Sequence, residues 1–166
     1  MLVTTIKRGE SMYYQLKAAE EKDCGRLIDF INKAGVSSEG VEKSPDQFII
    51  LENGNHNIVA CLGIEIIEGD GLLRTLVVSQ HMDQAYILSL FQNILVLCKQ
   101  KEVRNLYLIT NKAAAVDLLY MLGFSTVSTK NLPSHMLQVK HVSKSTEVAG
   151  SIVMKKEVKE NYQQSY

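Results

Sequence analysis

Two charged side chains interrupt the most apolar part of this chain. Glu65 stands among Ile64, Ile66 and Ile67, and Arg74 breaks the run GLLRTLVV at 71–78. A carboxylate turned inward in such surroundings is a candidate general base, and one turned outward is an ordinary solvent-facing strand residue. A guanidinium buried in an apolar strand needs a partner. A bidentate clamp on a substrate carboxylate would supply one, and an internal salt bridge to Glu65 or Glu39 would supply the other. His135 and His141 read as surface residues, because no carboxylate spacing makes a metal site with them. Cys24, Cys61 and Cys98 are odd in number and widely spaced. They read as small buried hydrophobes in a reducing compartment, neither a disulfide framework nor a zinc pattern.

The bulk composition excludes several function classes. The 18 basic and 18 acidic side chains cancel, so no net field recruits nucleic acid or anionic lipid. Trp is absent and the Tyr and Phe are scattered, which leaves no stacking platform for bases. No apolar run approaches the roughly 20 residues of a membrane span. The opening MLVTTIKRGES lacks the apolar core of a secretory signal. The expectation is a cytoplasmic, soluble protein with one domain over 12–157, a homodimer being open to it. Residues 1–11 read as a loose extension or the product of an early start codon, and 158–166 as a flexible tail.

The elements that must position these side chains follow from periodicity. Tyr13–Ala18 alternates as a strand. Asp23 offers an N-cap to a helix carrying Leu27, Ile28, Ile31 and Ala34, with Gly35 just past its end. VSSEGVEKSPDQ (36–47) is a polar loop. Phe48–Leu51, the Asn53-Gly54 turn signal and Ile58–Ile67 predict a hairpin. Leu72–Ser79 is a further strand, apolar on both alternations apart from Arg74 and Thr75, which predicts cover on both faces. Asp83 caps a long helix with the stripe Ile87, Leu90, Phe91, Ile94, Leu95 and Cys98. Leu106–Ile109 is a buried strand of the kind a helical crossover feeds. Thr110 or Asn111 caps a helix with Ala114, Leu118, Leu119 and Leu122, ended by Gly123. Late strands follow at 124–127 and 150–156, with one short helix predicted after Leu132-Pro133. The sum is an α/β domain with a mixed sheet and helices on its faces.

That order resembles the GCN5-related N-acetyltransferase (GNAT) family over 12–157. Several phrases are similar to its arsenic-resistance and amino-acid N-acetyltransferase branch. They are SSEGVEKSPDQFIILENGNHNIVACLGIE, GDGLLRTLVV, NLYLIT, LGF, Asn131-Leu132-Pro133 and IVMKKEV. The resemblance implies acetyl-CoA bound in a V between splayed parallel strands at 72–79 and 105–110. Main-chain groups of Leu76, Val77, Val78 and Ser79 would pair with the pantetheine amides. The pyrophosphate would rest on the amides that open the following helix at about residue 83, near Gln84, Ala85 and Tyr86, with Asn111 a further cofactor contact.

The family loop, Arg/Gln-x-x-Gly-x-Gly/Ala, is degenerate here. Met82, Ala85 and Ile87 occupy its three key positions, and no Lys or Arg occurs between Arg74 and Lys99. Asp83 opposes an anion, and His81 is the one nearby group able to take up a proton.

Acetyl transfer needs a proton acceptor for the amine and a donor for the leaving thiolate. The resemblance implies Glu65 as base and Glu39 and Arg74 as acceptor-binding residues. For the acid, the family's tyrosine position falls on Leu119; Tyr120 is the next residue, and Ser79 is a further hydroxyl. The implied acceptor is a small amine, an amino acid or a toxic analogue. The alternative is a catalytically impaired GNAT-fold binding or regulatory module.

Overall fold

The computed structural model describes residues 3–8, 12–79 and 82–158; His81 and the tail at 159–166 lie outside the described residues. The chain divides into two units, residues 1–64 with 74–97 and residues 65–73 with 98–166.

The first unit opens with a meander of antiparallel strands, β1 (Val3–Arg8), β2 (Met12–Ala18), β3 (Phe48–Glu52) and β4 (Ile58–Ile67). Its register runs Thr5↔Gln15, Leu16↔Leu51 and Leu51↔Ala60. Strand β1 falls within the stretch expected to be an extension. To the meander the unit adds α1 (Cys24–Lys33), the second half of β5 (Asp70–Val78) and most of α2 (Gln84–Gln100).

Alternation sorts the strand residues onto two faces. Lys17, Ile50 and Cys61 stand in one row across the strands, and Leu16, Leu51 and Ala60 in the other. Helix α1 covers the first face, where Leu27 and Ile31 pack with Phe48, Ile50, Cys61 and Val77. Helix α2 takes the opposite face. Its Tyr86 ring meets Tyr14, which shares a side with Leu16, at 4.6 Å between centroids. Full burial of each such aliphatic side chain contributes about 1.5–3 kcal/mol, which is what holds two helices to one meander.

The start of α1 differs from the expectation. Glu21–Asp23 forms a 3-10 turn ahead of the helix, and the Asp23 carboxylate makes no cap bond to α1. It turns back and accepts the Glu20 N–H at 2.9 Å. The helix ends as its sequence predicts. Gly35 takes φ +75° and the Val36 N–H reaches the Ile31 carbonyl, the left-handed stop that glycine permits.

Gly63 pairs directly with Phe48 across β3 and β4, and a Cβ at Gly63 would overlap the buried Phe48 ring. Gly63→Ala should therefore cost about 1–3 kcal/mol of stability, the usual range for overpacking. Urea denaturation would show it, and an unchanged midpoint would mean that the ring has room to step aside.

The second unit holds the first residues of β5, then β6 (Asn105–Thr110), α3 (Ala113–Met121), β7 (Ser125–Val127), α4 (Ser134–Leu137), α5 (Lys140–Glu147) and β8 (Ile152–Glu157). Strands β5 and β6 are parallel, with registered pairs from Gly71↔Leu106 to Leu73↔Leu108. Strand β8 pairs antiparallel with both β6 and β7. The strand pairing is thus mixed, as expected for this α/β chain. Leu72, Tyr107 and Val153 form one apolar face, packed against Leu132, Met136 and Val142. The connection after Pro133 holds two short helices where the sequence predicts one. Helix α3 starts at Ala113 with no side-chain cap from Lys112, and Thr110 Oγ1 instead accepts the Lys112 N–H.

Candidate functional site

In the first unit, β5 exposes one face where the sequence predicts cover on both. Arg74 is exposed and Leu76 is 42% exposed, whereas Thr75 and Val77 between them are buried. Arg74 is therefore no buried guanidinium. The Ser79 N–H donates to the Val59 carbonyl at 2.9 Å. Main-chain groups alternate edges along a strand, so those of Leu76 and Val78 aim away from β4, while Val77 shares the β4 edge with Ser79.

The Glu68-Gly69 turn has φ +48° and +87°, the left-handed geometry of a tight two-residue turn.

The tip of α2 is closed by its own acid. The Asp83 carboxylate accepts the Ala85 N–H at 3.2 Å and the Asp83 carbonyl accepts the Tyr86 N–H at 3.0 Å. Asp83 thus caps the helix as its sequence predicts, and the cap occupies two of the amides expected to hold an anion. Gln84 and Ala85 are exposed, and Met82 and Ile87 are half-buried. The Tyr86 side chain belongs to the core against Tyr14, so any contact it makes with an anion at the helix tip falls to its main chain. In the buried stripe of α2 it joins Leu97 and the expected Leu90, Phe91, Ile94 and Cys98, while Ile87 and Leu95 are half-buried.

The second unit builds a polar layer that the sequence does not announce. Glu65 and His141 form a pair, Nε2 to Oε1 at 2.7 Å, with the carboxylate 30% and the imidazole 40% exposed. Glu65 is thus neither buried among its isoleucines nor simply solvated. His135 meets Asp70 at 2.8 Å, and the Asp70 carboxylate, 4% exposed, also receives Asn105 Nδ2 at 3.3 Å and lies 4.0 Å from Arg104. Burial, aided by the Asp70 charge, pushes the Tyr107 phenol up. Both histidines were expected on a bare surface, and both are instead strand-to-helix ties. Arg104 further clamps the β4–β5 turn through the Glu68 carbonyl.

The remaining candidates lie as follows. Tyr120 is exposed, and its hydroxyl pairs with Thr126 Oγ1 at 3.1 Å. Asn111 is exposed after β6. Ser79 is half-buried at the end of β5. Glu39 is exposed in a turn anchored by buried Val41, and its N–H donates to Ser37 Oγ. Cys61 and Cys98 are buried, and burial pushes each thiol up to about 12, which leaves them inert.

Sequence reading also missed a polar cleft of about 390 Å³ on the α1 face of the first unit, lined by Lys17, Asp23, Arg26, Glu52 and His56 among others. Arg26 Nη2 bridges the buried carboxylates of Asp23 at 2.8 Å and Glu52 at 2.7 Å, and its Nη1 donates to the His56 carbonyl. Lys17 adds a second cation 3.1 Å from Asp23.

Among the described residues, no group of three or more His, Cys, Asp and Glu could hold a metal ion, and no helix is long and apolar enough to cross a membrane. No family model matches the chain. Solved structures share its fold. N-acetylglutamate synthase from Neisseria gonorrhoeae, complexed with coenzyme A and N-acetyl-glutamate, superposes with a TM-score of 0.68 at 20% identity over 88% of this chain. The chain spans 35% of that synthase. A GNAT-family acetyltransferase from Staphylococcus aureus Mu50 matches at 0.63 and 18% identity, over 88% of this chain and 99% of its own. The fold is that of the GNAT acetyltransferases. At 39% identity over 146 residues, 87% of this chain and 98% of the relative, the chain belongs to the family of the uncharacterized protein YwlB of Bacillus subtilis (strain 168).

Proposed function

We infer that this chain transfers an acetyl group from acetyl-CoA to a small amine, and that the acceptor is amino-acid-like, as in the arsenic-resistance and amino-acid branch. The observation that carries this reading is the exposed face of β5. Leu76 and Val78 direct main-chain donors and acceptors away from β4. Such an edge pairs with the amides of a pantetheine arm as it would with another strand. In this reading Arg74, exposed on β5, would clamp the acceptor carboxylate, and Glu39 would add a second acceptor contact. The hydroxyl of Tyr120 or that of Ser79 would return a proton to the leaving thiolate.

The α2 tip fits the pyrophosphate less well, because Asp83 occupies the Ala85 amide and brings its own negative charge. That observation favours a second reading, a GNAT-fold module that binds a ligand without turning it over. Calorimetric titration with acetyl-CoA separates the two. Saturation at micromolar ligand supports the enzyme, and no heat at millimolar ligand removes it.

Arg74→Ala should raise the acceptor KM roughly 10- to 100-fold while leaving acetyl-CoA affinity unchanged, the loss expected for a charge-assisted pair. Loss of soluble protein instead would assign Arg74 to an internal salt bridge.

A further inference from the structure

We propose that the polar cleft at the start of α1 binds a small zwitterion of the free amino-acid class, its ammonium on Glu52 and its carboxylate on Lys17. The site lies wholly in the first unit and uses none of the residues assigned to acetyl transfer, so it stands whether or not the chain transfers acetyl.

Strand register builds the cleft. Gln15 of β2 stands opposite Glu52 of β3, and Lys17 stands opposite Ile50. Alternation puts all four on the face that α1 covers. Ile50 belongs to the apolar cluster with Leu27 and Ile31 of α1. Glu52 is the last residue of β3, and Arg26 of the first turn of α1 reaches its carboxylate at 2.7 Å.

That carboxylate is half satisfied. Glu52 is 5% exposed, its Oε2 accepts from Arg26, and its Oε1 has no hydrogen-bond partner among the described residues. No side-chain oxygen or nitrogen of the described residues is both sealed from solvent and unpaired, so Oε1 opens onto the cleft that Glu52 lines. A buried carboxylate oxygen requires a donor, and a cationic donor makes the strongest bond. Lys17 is the counterpart. Its side chain is 13% exposed, and its ammonium meets the two oxygens of Asp23 at 3.3 and 3.1 Å. Two bonds leave one of its three N–H groups free. The Gln15 amide, beside Glu52 in register and two residues from Lys17, is also unpartnered among the described residues and offers a donor and an acceptor between them.

Charge decides the class of ligand. Asp23 and Glu52 face Lys17 and Arg26, two of each sign, and Lys22 at the rim is met by Glu20 at 3.4 Å. A lone anion or a lone cation would unbalance that wall, whereas a molecule with one charge of each sign leaves it neutral. No Phe, Tyr or Trp among the described residues lines the cleft, so a planar base finds no stacking face. The volume, about 390 Å³, is at the low end for ligand sites and suits a small molecule.

Calorimetric titration of the intact protein with each common L-amino acid finds the ligand, and the Gln15 side-chain amide, followed by NMR, reports whether it sits in the cleft. At least one amino acid should saturate at millimolar concentration or below and shift that resonance. Its methyl ester, which lacks the carboxylate, and its α-keto acid, which lacks the ammonium, should each bind roughly 10-fold more weakly or worse. Glu52→Gln and Lys17→Met should each raise Kd roughly 10- to 100-fold, while Arg74→Ala leaves it unchanged. Gln15→Ala, outside the ion network, should raise Kd several-fold and decides the matter where a network variant fails to fold. Three results overturn the proposal: no binding at millimolar amino acid, an ester or keto acid that binds as tightly as the zwitterion, and an affinity that follows Arg74 and ignores Glu52, Lys17 and Gln15.

Discussion

Arg26→Ala should lower the free energy of unfolding by about 3 kcal/mol, the low end of the range for breaking a buried ion pair. The Asp23 side chain is 2% exposed and that of Glu52 6%, and one guanidinium nitrogen holds both. Removing it strands two carboxylates, with Lys17 left to serve only Asp23. The low end applies because Arg26 is itself 42% exposed, so water can enter where it stood. Urea denaturation at neutral pH measures the loss, and a change below about 1 kcal/mol would mean that water substitutes for the guanidinium.

Acid titration carries the same physics. Burial alone would raise the Asp23 carboxyl, but the Glu20 amide, Arg26 and Lys17 outweigh it and hold it below its ordinary 3.8. A folded-state value held down contributes stability that is present above 3.8 and lost as pH falls through the depressed value. Without Arg26 the depression shrinks, so the acid-unfolding midpoint should move to higher pH.

The triple variant Met82→Arg, Ala85→Gly and Ile87→Gly should tighten acetyl-CoA binding by tenfold or more. A charge-assisted bond to phosphate contributes about 1.5–3 kcal/mol, and glycines let bare main chain approach the anion. Adding Asp83→Asn should gain roughly a further 0.3–1 kcal/mol by removing a like charge from the α2 tip while keeping an oxygen to cap it. The cost falls on the helix. Ala85→Gly alone loses about 1 kcal/mol of helix propensity, so the melting temperature should drop as affinity rises. Calorimetry reads the affinity directly. Unchanged binding in a folded triple variant would place the anion-binding loop elsewhere in the chain.

Much of the scaffold was legible residue by residue. Gly35 and Gly123 stop α1 and α3 where the sequence says they must, each at a positive φ with a carbonyl of the last turn satisfied beyond it. Asp83 caps α2 through a bond two residues long. The Asn53-Gly54 signal marked the turn between β3 and β4. The reading failed where a side chain had more than one local fate. Asp23 looked like an N-cap and became the buried centre of an ion network. Arg74 looked buried because its strand is apolar, yet the exposure of its face depends on what lies above it.

The chain's own pattern determined which segments become helices and strands, where they stop, and that they alternate into the α/β order of the GNAT fold. Those outcomes rest on forces between residues one to four apart, which the linear sequence contains. Tertiary packing alone decided that His141 meets Glu65, that His135 meets Asp70 and that Arg26 reaches Glu52, across separations of 76, 65 and 26 residues. Periodicity does not carry such pairings, because they depend on how elements distant in the sequence come to face each other.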